Sequence, residues 1–190
     1  SGEDLKLSIS AKETGKRGDG SCAEGFRVIP QKQEGLYSVL YHPIGGQPEV
    51  SWFASVSEVI RDMEDVELRL SPDQSVYIVN LTGNEARKIL KATDDGAATL
   101  FETSVSCIGA STCQTGVRDS QGLLRACVEA VREAGLPDTA LPQIHISGCA
   151  SSCGTHQTGA IGFHGTAKKI DKTTYPAYFL HVNGREGQKD

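Results

Sequence analysis

Downstream of residue 25, the first half of the chain alternates short apolar runs with turn-forming residues. Runs rich in β-branched and aromatic residues predict strands, and apolar residues that recur every three or four positions predict helices. The predicted elements are strands at 26–30 and 36–41, a helix at 55–64, a hairpin of strands at 66–70 and 76–79, and a helix at 83–92. Ser55 and Glu58 have the spacing of a capping box. This order predicts an α+β fold on a mainly antiparallel sheet.

The second half carries a longer helix and further strands. Apolar residues at helical spacing run from Val117 to Ala134, and the helix is expected to stop at Gly135. Strands are expected at 144–146, 160–163 and 178–182. Residues 1–25, in contrast, are polar and rich in glycine, which predicts a connecting arm.

Composition and charge narrow the class of protein. Hydrophobic residues make up 38% of the chain and charged residues 23%, a balance typical of a folded globular protein. The formal net charge is −5 and there is no long Lys/Arg block, so nothing predicts binding to nucleic acid or to an anionic membrane. No apolar run approaches the ~20 residues of a spanning helix, and the N-terminus lacks the pattern of a signal peptide. We therefore expect a cytoplasmic protein.

Four of the six cysteines form two pairs, Cys107-x5-Cys113 and Cys149-x3-Cys153, with 35 residues between the pairs. Sets of four cysteine thiolates hold [4Fe-4S] clusters. The helix between the pairs carries the chain ~27 Å away, and the loop and strand that follow can bring it back. Glycines flank both pairs and let backbone N–H groups approach cluster sulfurs. The spacing therefore favours an iron–sulfur cluster.

Two other interpretations of the cysteines stay open. Structural zinc is also bound by four cysteines, and Cys149-x3-Cys153 has the spacing of a zinc knuckle, whereas the first pair does not. The second alternative is a set of ordinary buried thiols, because free cysteine is among the most buried residue types. That alternative is favoured for Cys127, which lies among apolar residues of a predicted helix. Cys22, alone in the arm, is expected to be an incidental thiol.

The cysteine segments resemble a known family. Residues 107–113 (CIGASTC) and 147–154 (SGCASSCG) strongly resemble the cluster and sirohaem signature of the sulfite/nitrite reductases, and 159–165 (GAIGFHG) resembles its continuation. Residues 68–74 (LRLSPDQ) are similar to the Arg-and-Gln element that closes the family's ferredoxin-like half-domain. The resemblance covers about residues 26–182. The similarity is close in the cysteine motifs and weak elsewhere.

The resemblance implies a domain organisation and a pair of cofactors. A linker arm at 1–25 would precede a ferredoxin-like half-domain at 26–100 and an α/β domain at 101–190 that binds a [4Fe-4S] cluster and sirohaem. All four paired cysteines would bind the cluster, and Cys153 would also ligate the sirohaem iron. Electrons from ferredoxin or a flavoprotein subunit would reduce sulfite to sulfide or nitrite to ammonia, six electrons in all.

Two further site residues follow from the resemblance. Arg69 matches a basic residue that acts on the substrate, and Gln74 matches a cofactor-binding glutamine. A surface ion pair is the alternative for Arg69, and a turn residue is the alternative for Gln74. His145, His156 and His164 lie near the motifs without the spacing of metal ligands, so ordinary hydrogen-bonding roles are expected for them.

The chain departs from the family in ways that suggest an incomplete catalyst. Ala150 and Ser151 stand where the family commonly has Pro-Asn. Most cationic residues over the family's haem come from the other half of a pseudo-duplicated chain, and the sequence begins at Ser1 without Met. We therefore expect the missing half to come from a second chain or from a longer protein. The alternatives are an iron–sulfur electron-transfer module without sirohaem and a zinc-stabilised structural domain.

Overall fold

The computed structural model describes residues 14–185. This part of the chain contains eight strands and three α-helices. The strands are β1 (Val28–Pro30), β2 (Tyr37–Tyr41), β3 (Glu67–Leu70), β4 (Val76–Leu81), β5 (Val105–Ser106), β6 (Ile144–Ser147), β7 (Ile161–Ile170) and β8 (Thr173–Val182). The helices are α1 (Val50–Ile60), α2 (Gly83–Ala92) and α3 (Ser120–Glu133). Among these residues no helix is both long and apolar enough to cross a membrane. The arrangement confirms the predicted α+β class.

The first sheet is antiparallel throughout and has the strand order β1-β2-β4-β3. The apolar side chains on the face that meets the helices, such as Val39 and Ile78, are fully buried and pack together with residues of α1 and α2. The Tyr41 ring stacks on Trp52 of α1, with ring centroids 4.4 Å apart and planes 9° apart. Burial of these aromatic and aliphatic side chains is the main force that holds the two helices on the sheet.

The two helices of this unit differ in how well local sequence predicts them. Helix α2 spans the predicted residues, because Thr82 and Glu85 form a capping box at its start. The predicted start of α1 at Ser55 was wrong, since the helix begins at Val50 and ends at Ile60. Burial of Trp52 against the sheet stabilises an additional first turn, so tertiary packing prevails over the local cap signal.

The second sheet has the order β5-β6-β7-β8, with β5, β6 and β7 parallel and β8 antiparallel to β7. Helix α3 connects β5 to β6 and buries Leu124 and Val128 against the sheet. The helix begins at Ser120 rather than at the predicted residue 117, because the Asp119 side chain accepts a hydrogen bond from Gly122 N–H. Strands β7 and β8 are longer than predicted and form an exposed ribbon beyond Gly165.

Side-chain hydrogen bonds join the two sheets at the start of β5. The Gln74 side chain donates to the Ser106 carbonyl at 2.8 Å and accepts from the Ser106 N–H at 3.3 Å. The buried His42 ring lies 3.0 Å from Ser75 Oγ and 3.3 Å from the Ser104 carbonyl. These bonds position the strand that leads directly into the first cysteine of the pairs.

The described part of the predicted arm, residues 14–25, contains no helix or strand and packs against the first unit. Lys16 is only 7% exposed. Its ammonium donates to Glu85 Oε2 at 2.6 Å and to the Glu64 carbonyl at 2.8 Å. Ala23 belongs to the first hydrophobic core. This stretch is therefore part of the folded unit, and the first 13 residues of the predicted arm lie outside the described region.

Candidate metal centre

The four paired cysteines line one cavity of about 260 Å³, which we call the cysteine cavity. Cys107 directly follows β5, and Cys149 follows the parallel strand β6 after one residue. The carboxyl ends of neighbouring parallel strands lie at the same edge of a sheet, and ligands commonly bind there. The other residues of the lining are Gln74, Ile108, Gly109, Thr115, Gly116, Ser147 and Gly148. Of the described residues that line it, none carries a carboxylate, an ammonium or a guanidinium group.

Cys107 lies just past the end of β5, and its sulfur has two hydrogen-bonding neighbours. Its sulfur accepts a hydrogen bond from Gly148 N–H at 3.1 Å and lies 3.2 Å from the Ser120 hydroxyl. A Cβ at position 148 would lie 2.7 Å from the Arg118 carbonyl oxygen, so only glycine allows this approach. A backbone N–H aimed at a cysteine sulfur is a contact of the kind that orients and tunes metal-bound sulfur.

Cys113 lines the cavity from a tight turn. Its backbone N–H donates to the Gly109 carbonyl at 2.8 Å, and Gly109 has a φ of +72°, a conformation that favours glycine. The Cys113 sulfur lies 3.2 Å from the Thr115 hydroxyl. Hydrogen bonds from the hydroxyl and backbone N–H of Thr115 hold the pKa of the Cys113 thiol below its usual range. This turn therefore favours the thiolate form of Cys113.

Ser147 holds the loop that carries Cys149 and Cys153. Its buried hydroxyl accepts a hydrogen bond from Gly154 N–H at 3.1 Å and lies 2.9 Å from His156 Nδ1. A side chain at position 154 would collide with the Ile146 carbonyl, so glycine is required for the loop to fold back on β6. In this loop Cys149 is half-buried, whereas Cys153 is exposed at the rim of the cysteine cavity.

Gln74 and Arg69, the two other site residues predicted from the sequence, have different locations. Gln74 lines the cysteine cavity while its amide bonds the backbone of Ser106. Arg69 is exposed on β3, an edge strand of the first sheet, and is absent from the cavity lining. Its guanidinium forms an ion pair with Glu67 at 3.0 Å. The structure thus brings Gln74 to the cysteines and leaves Arg69 apart from them.

The two remaining cysteines lie away from the cavity. Cys22 is exposed in the segment that packs on the first unit, in a depression that also includes Tyr37. Cys127 lies on α3 and packs against the second hydrophobic core. Burial raises the pKa of the Cys127 thiol, which keeps it in the protonated form that binds metals poorly.

Three histidines meet beside the cysteine cavity, an arrangement that the sequence reasoning missed. His156 follows the loop of Cys153, His164 lies on β7 and His181 lies on β8. Their ring centroids are 4.8 to 4.9 Å apart. His145 is outside this group, and its Nδ1 lies 2.7 Å from the Thr155 hydroxyl. Only the pairing of β7 with β8 brings His181 to the other two, so no spacing along the chain indicates the group.

Sequence comparisons relate the chain to reductases. No protein-family model matches it. The chloroplastic ferredoxin–nitrite reductase of Zea mays is 27% identical over 170 residues, which are 84% of this chain and 29% of that protein. The ferredoxin–nitrite reductase of Synechococcus elongatus is 26% identical over 165 residues, 84% of this chain and 32% of that protein. The chain spans less than a third of the length of these curated relatives.

Two solved structures share the fold. The structure of the Mycobacterium tuberculosis NirA protein matches 82% of this chain and 30% of that one, with a TM-score of 0.65 and 20% identity. The crystal structure of dissimilatory sulfite reductase I matches 71% of this chain and 34% of that one, with a TM-score of 0.57 and 12% identity. At these identities the likeness concerns the fold, and it agrees with the predicted half-domain arrangement.

Proposed function

We propose that the chain belongs to the sulfite and nitrite reductase family, and that Cys107, Cys113, Cys149 and Cys153 hold a [4Fe-4S] cluster. The observation that carries the proposal is that all four thiols line one cavity, while Cys22 and Cys127 do not. When bound, such a cluster transfers single electrons.

The surroundings of the sulfurs fit an anionic cluster. Gly148 N–H and the hydroxyls of Ser120 and Thr115 lie within 3.2 Å of cysteine sulfurs. Donors near the sulfurs stabilise their negative charge and raise the reduction potential of a cluster. A Cβ at Gly148 would lie 2.7 Å from the Arg118 carbonyl oxygen and one at Gly116 would lie 2.8 Å from the Ala110 backbone, so neither position has space for a side chain. The cysteines would therefore hold the cluster, and the neighbouring N–H and hydroxyl groups would adjust its reduction potential.

We assign the sirohaem contact to Cys153, as the family resemblance implies. Cys153 is exposed at the rim, whereas Cys107, Cys113 and Cys149 are partly buried. The cysteine cavity, at about 260 Å³, is smaller than the roughly 300–1,000 Å³ pockets that enclose drug-sized ligands. A macrocycle would therefore lie over the rim rather than within the cavity. A second chain or a further part of a longer protein would cover its other face.

The proposed overall reaction is the six-electron reduction of nitrite to ammonia or of sulfite to sulfide, with ferredoxin or a flavoprotein subunit as the electron donor. These residues would supply the cluster-bearing part of the enzyme. Arg69 is exposed and paired with Glu67, and exposed ion pairs contribute little, so this guanidinium alone would bind an oxyanion weakly. The strong anion contacts would then come from cations outside this chain.

The first test is anaerobic reconstitution with iron and sulfide. Wild type and Cys127→Ser should each gain about one cluster's four irons and the broad visible absorption of a cluster. Cys149→Ser should fail to form a stable cluster although its circular dichroism is unchanged. Equal iron incorporation by Cys149→Ser, or tight zinc binding by the four cysteines in place of iron, would contradict the cluster assignment.

The second test measures nitrite and sulfite reduction with reduced methyl viologen after sirohaem is added. We expect the monomeric chain to be inactive and to gain activity only with the missing half or through self-association. Turnover that persists on dilution to monomer would overturn this expectation.

A second candidate function is electron transfer without sirohaem. It is favoured by the lack of basic side chains among the described residues lining the cysteine cavity. Cluster absorption that stays unaltered when sirohaem is added would support this candidate, whereas new sirohaem bands would support the reductase.

A further inference from the structure

His156, His164 and His181 form a second group of metal-ligating side chains, which we call the histidine triad. One ring nitrogen from each residue lies within 4.8 Å of those of the other two. The triad adjoins the cysteine site, because His164 shares an open surface depression with Cys149. The three imidazoles have no role in the proposed binding of the cluster or of sirohaem.

The spacing of the three rings matches that of a metal site. In a tetrahedral site with metal–nitrogen distances of about 2.0–2.1 Å, three imidazole centroids lie roughly 5 Å apart. The centroids of the triad are 4.8, 4.9 and 4.9 Å apart. Bonding nitrogens in such a site are separated by about 3.4 Å, and His164 Nδ1 lies 2.7 Å from His181 Nε2. A metal would replace this hydrogen bond after modest rotation of two half-buried side chains.

The triad is held by rigid elements. His164 and His181 lie on β7 and β8, whose antiparallel register pairs Gly162 with His181 and His164 with Phe179. His156 is only 3% exposed, and its Nδ1 lies 2.9 Å from Ser147 Oγ. A hydrogen bond on the nitrogen that faces away from a metal orients a ligating imidazole and selects its tautomer. With Nδ1 of His156 bonded to Ser147, its Nε2 would be the nitrogen that binds the ion.

We propose that the histidine triad binds one divalent transition-metal ion, with Zn²⁺ as the expected occupant. Imidazole nitrogen suits Zn²⁺ and its neighbours in the first transition row, whereas Mg²⁺ and Ca²⁺ require oxygen ligands. Three protein ligands leave a fourth coordination position for water or another small ligand. The ion connects the segment after Cys153 to both strands of the β7–β8 ribbon. This site does not depend on the proposed reductase function.

The test is an anaerobic titration of the 190-residue chain with Co²⁺, followed by displacement with Zn²⁺. Cobalt bound to imidazoles shows weak ligand-field bands, whereas cobalt bound to cysteine also shows intense thiolate charge-transfer absorption near the ultraviolet. The two sites are therefore distinguished even if the cysteine cavity is empty. We expect one equivalent of Co²⁺ that adds no thiolate absorption, beside any ion that the cysteines take up, and a rise in melting temperature with Zn²⁺ that is smaller in the triad variants.

His164→Ala and His181→Ala are the informative variants, because their side chains are only half-buried and the fold should tolerate their loss. Each removes a ligand, so the affinity should fall by more than the ~10–100-fold that loss of an outer hydrogen bond costs. His145→Ala is the matched control and should keep the affinity of wild type. Binding that shows thiolate absorption only, or that survives both triad substitutions in folded protein, would overturn the proposal.

Discussion

The backbone N–H of Gly148 lies 3.1 Å from the Sγ of Cys107 and joins the loop after β6 to the cysteine after β5. The carbonyl of the same glycine accepts hydrogen bonds from the N–H groups of Val117 and Arg118, both at 2.9 Å. One peptide segment therefore connects both cysteine-bearing loops with the residues that precede α3. Its geometry leaves no space for a side chain at position 148.

Gly148→Ala should weaken both the fold and the metal centre. The new Cβ would lie 2.7 Å from the Arg118 carbonyl oxygen, so the backbone must shift. Overpacking of this kind costs about 1–3 kcal/mol of unfolding free energy. Urea denaturation measures that loss, and the rate of cluster bleaching in air should rise with it. Gly15→Ala is the control, since a Cβ there has nothing within 4 Å; equal stability of the two variants would refute the steric argument.

Cys153→Ser should disturb both the cluster absorption and the sirohaem bands of the reconstituted protein. The physical reason is that one thiolate at the rim would ligate both groups. Cys127→Ser should leave both spectra intact, because this thiol packs in the second core. Unchanged sirohaem bands in the Cys153 variant would show that this sulfur does not reach the haem iron.

Lys16→Ala should lower the unfolding free energy by about 1–3 kcal/mol, because it removes a buried charged donor from the carboxylate of Glu85 and from the carbonyl of Glu64. Thermal and urea unfolding measure the change. The matched substitution is Lys88→Ala on the exposed face of α2, which should have little effect. Equal stability of both variants would mean that the segment around Lys16 is only a linker.

The stability of the fold should fall on acidification because of His42. Burial lowers the pKa of this imidazole in the folded protein. Below about pH 6.5 the unfolded chain therefore takes up a proton that the folded chain resists, so the unfolding free energy falls as pH falls toward the folded pKa. Above the unfolded pKa both states are neutral at this position, and the penalty is absent.

His42→Gln removes this titration. The variant should be less stable than wild type at pH 8, because glutamine replaces imperfectly the bonds of the ring to Ser75 and Ser104. Its unfolding free energy should nevertheless vary less between pH 7 and pH 5 than that of wild type. Urea titrations across this range provide the comparison. Parallel pH profiles for the two proteins would exclude His42 as the source of the acid sensitivity.

Local sequence predicted the elements whose signals lie in consecutive residues. Helix α2 is marked at its start by the capping box of Thr82 and Glu85, and its bounds were predicted correctly. The hairpin of β3 and β4 was also predicted, because turn residues separate two apolar runs. In α1 the same kind of signal failed, because the packing of Trp52 on Tyr41 stabilises the earlier start more than a cap at Ser55 would stabilise the later one.

The sequence by itself determined the α+β class and the two cysteine pairs, because residue periodicity and short spacings are properties of neighbouring residues. Tertiary structure alone decided which distant side chains meet. Pairing of β7 with β8 brings His181 to His156 and His164, and packing of the two sheets joins Gln74 to Ser106. The same sheet order leaves Arg69 on an exposed edge. Strand register and packing set these distances, and no local pattern of residues encodes them.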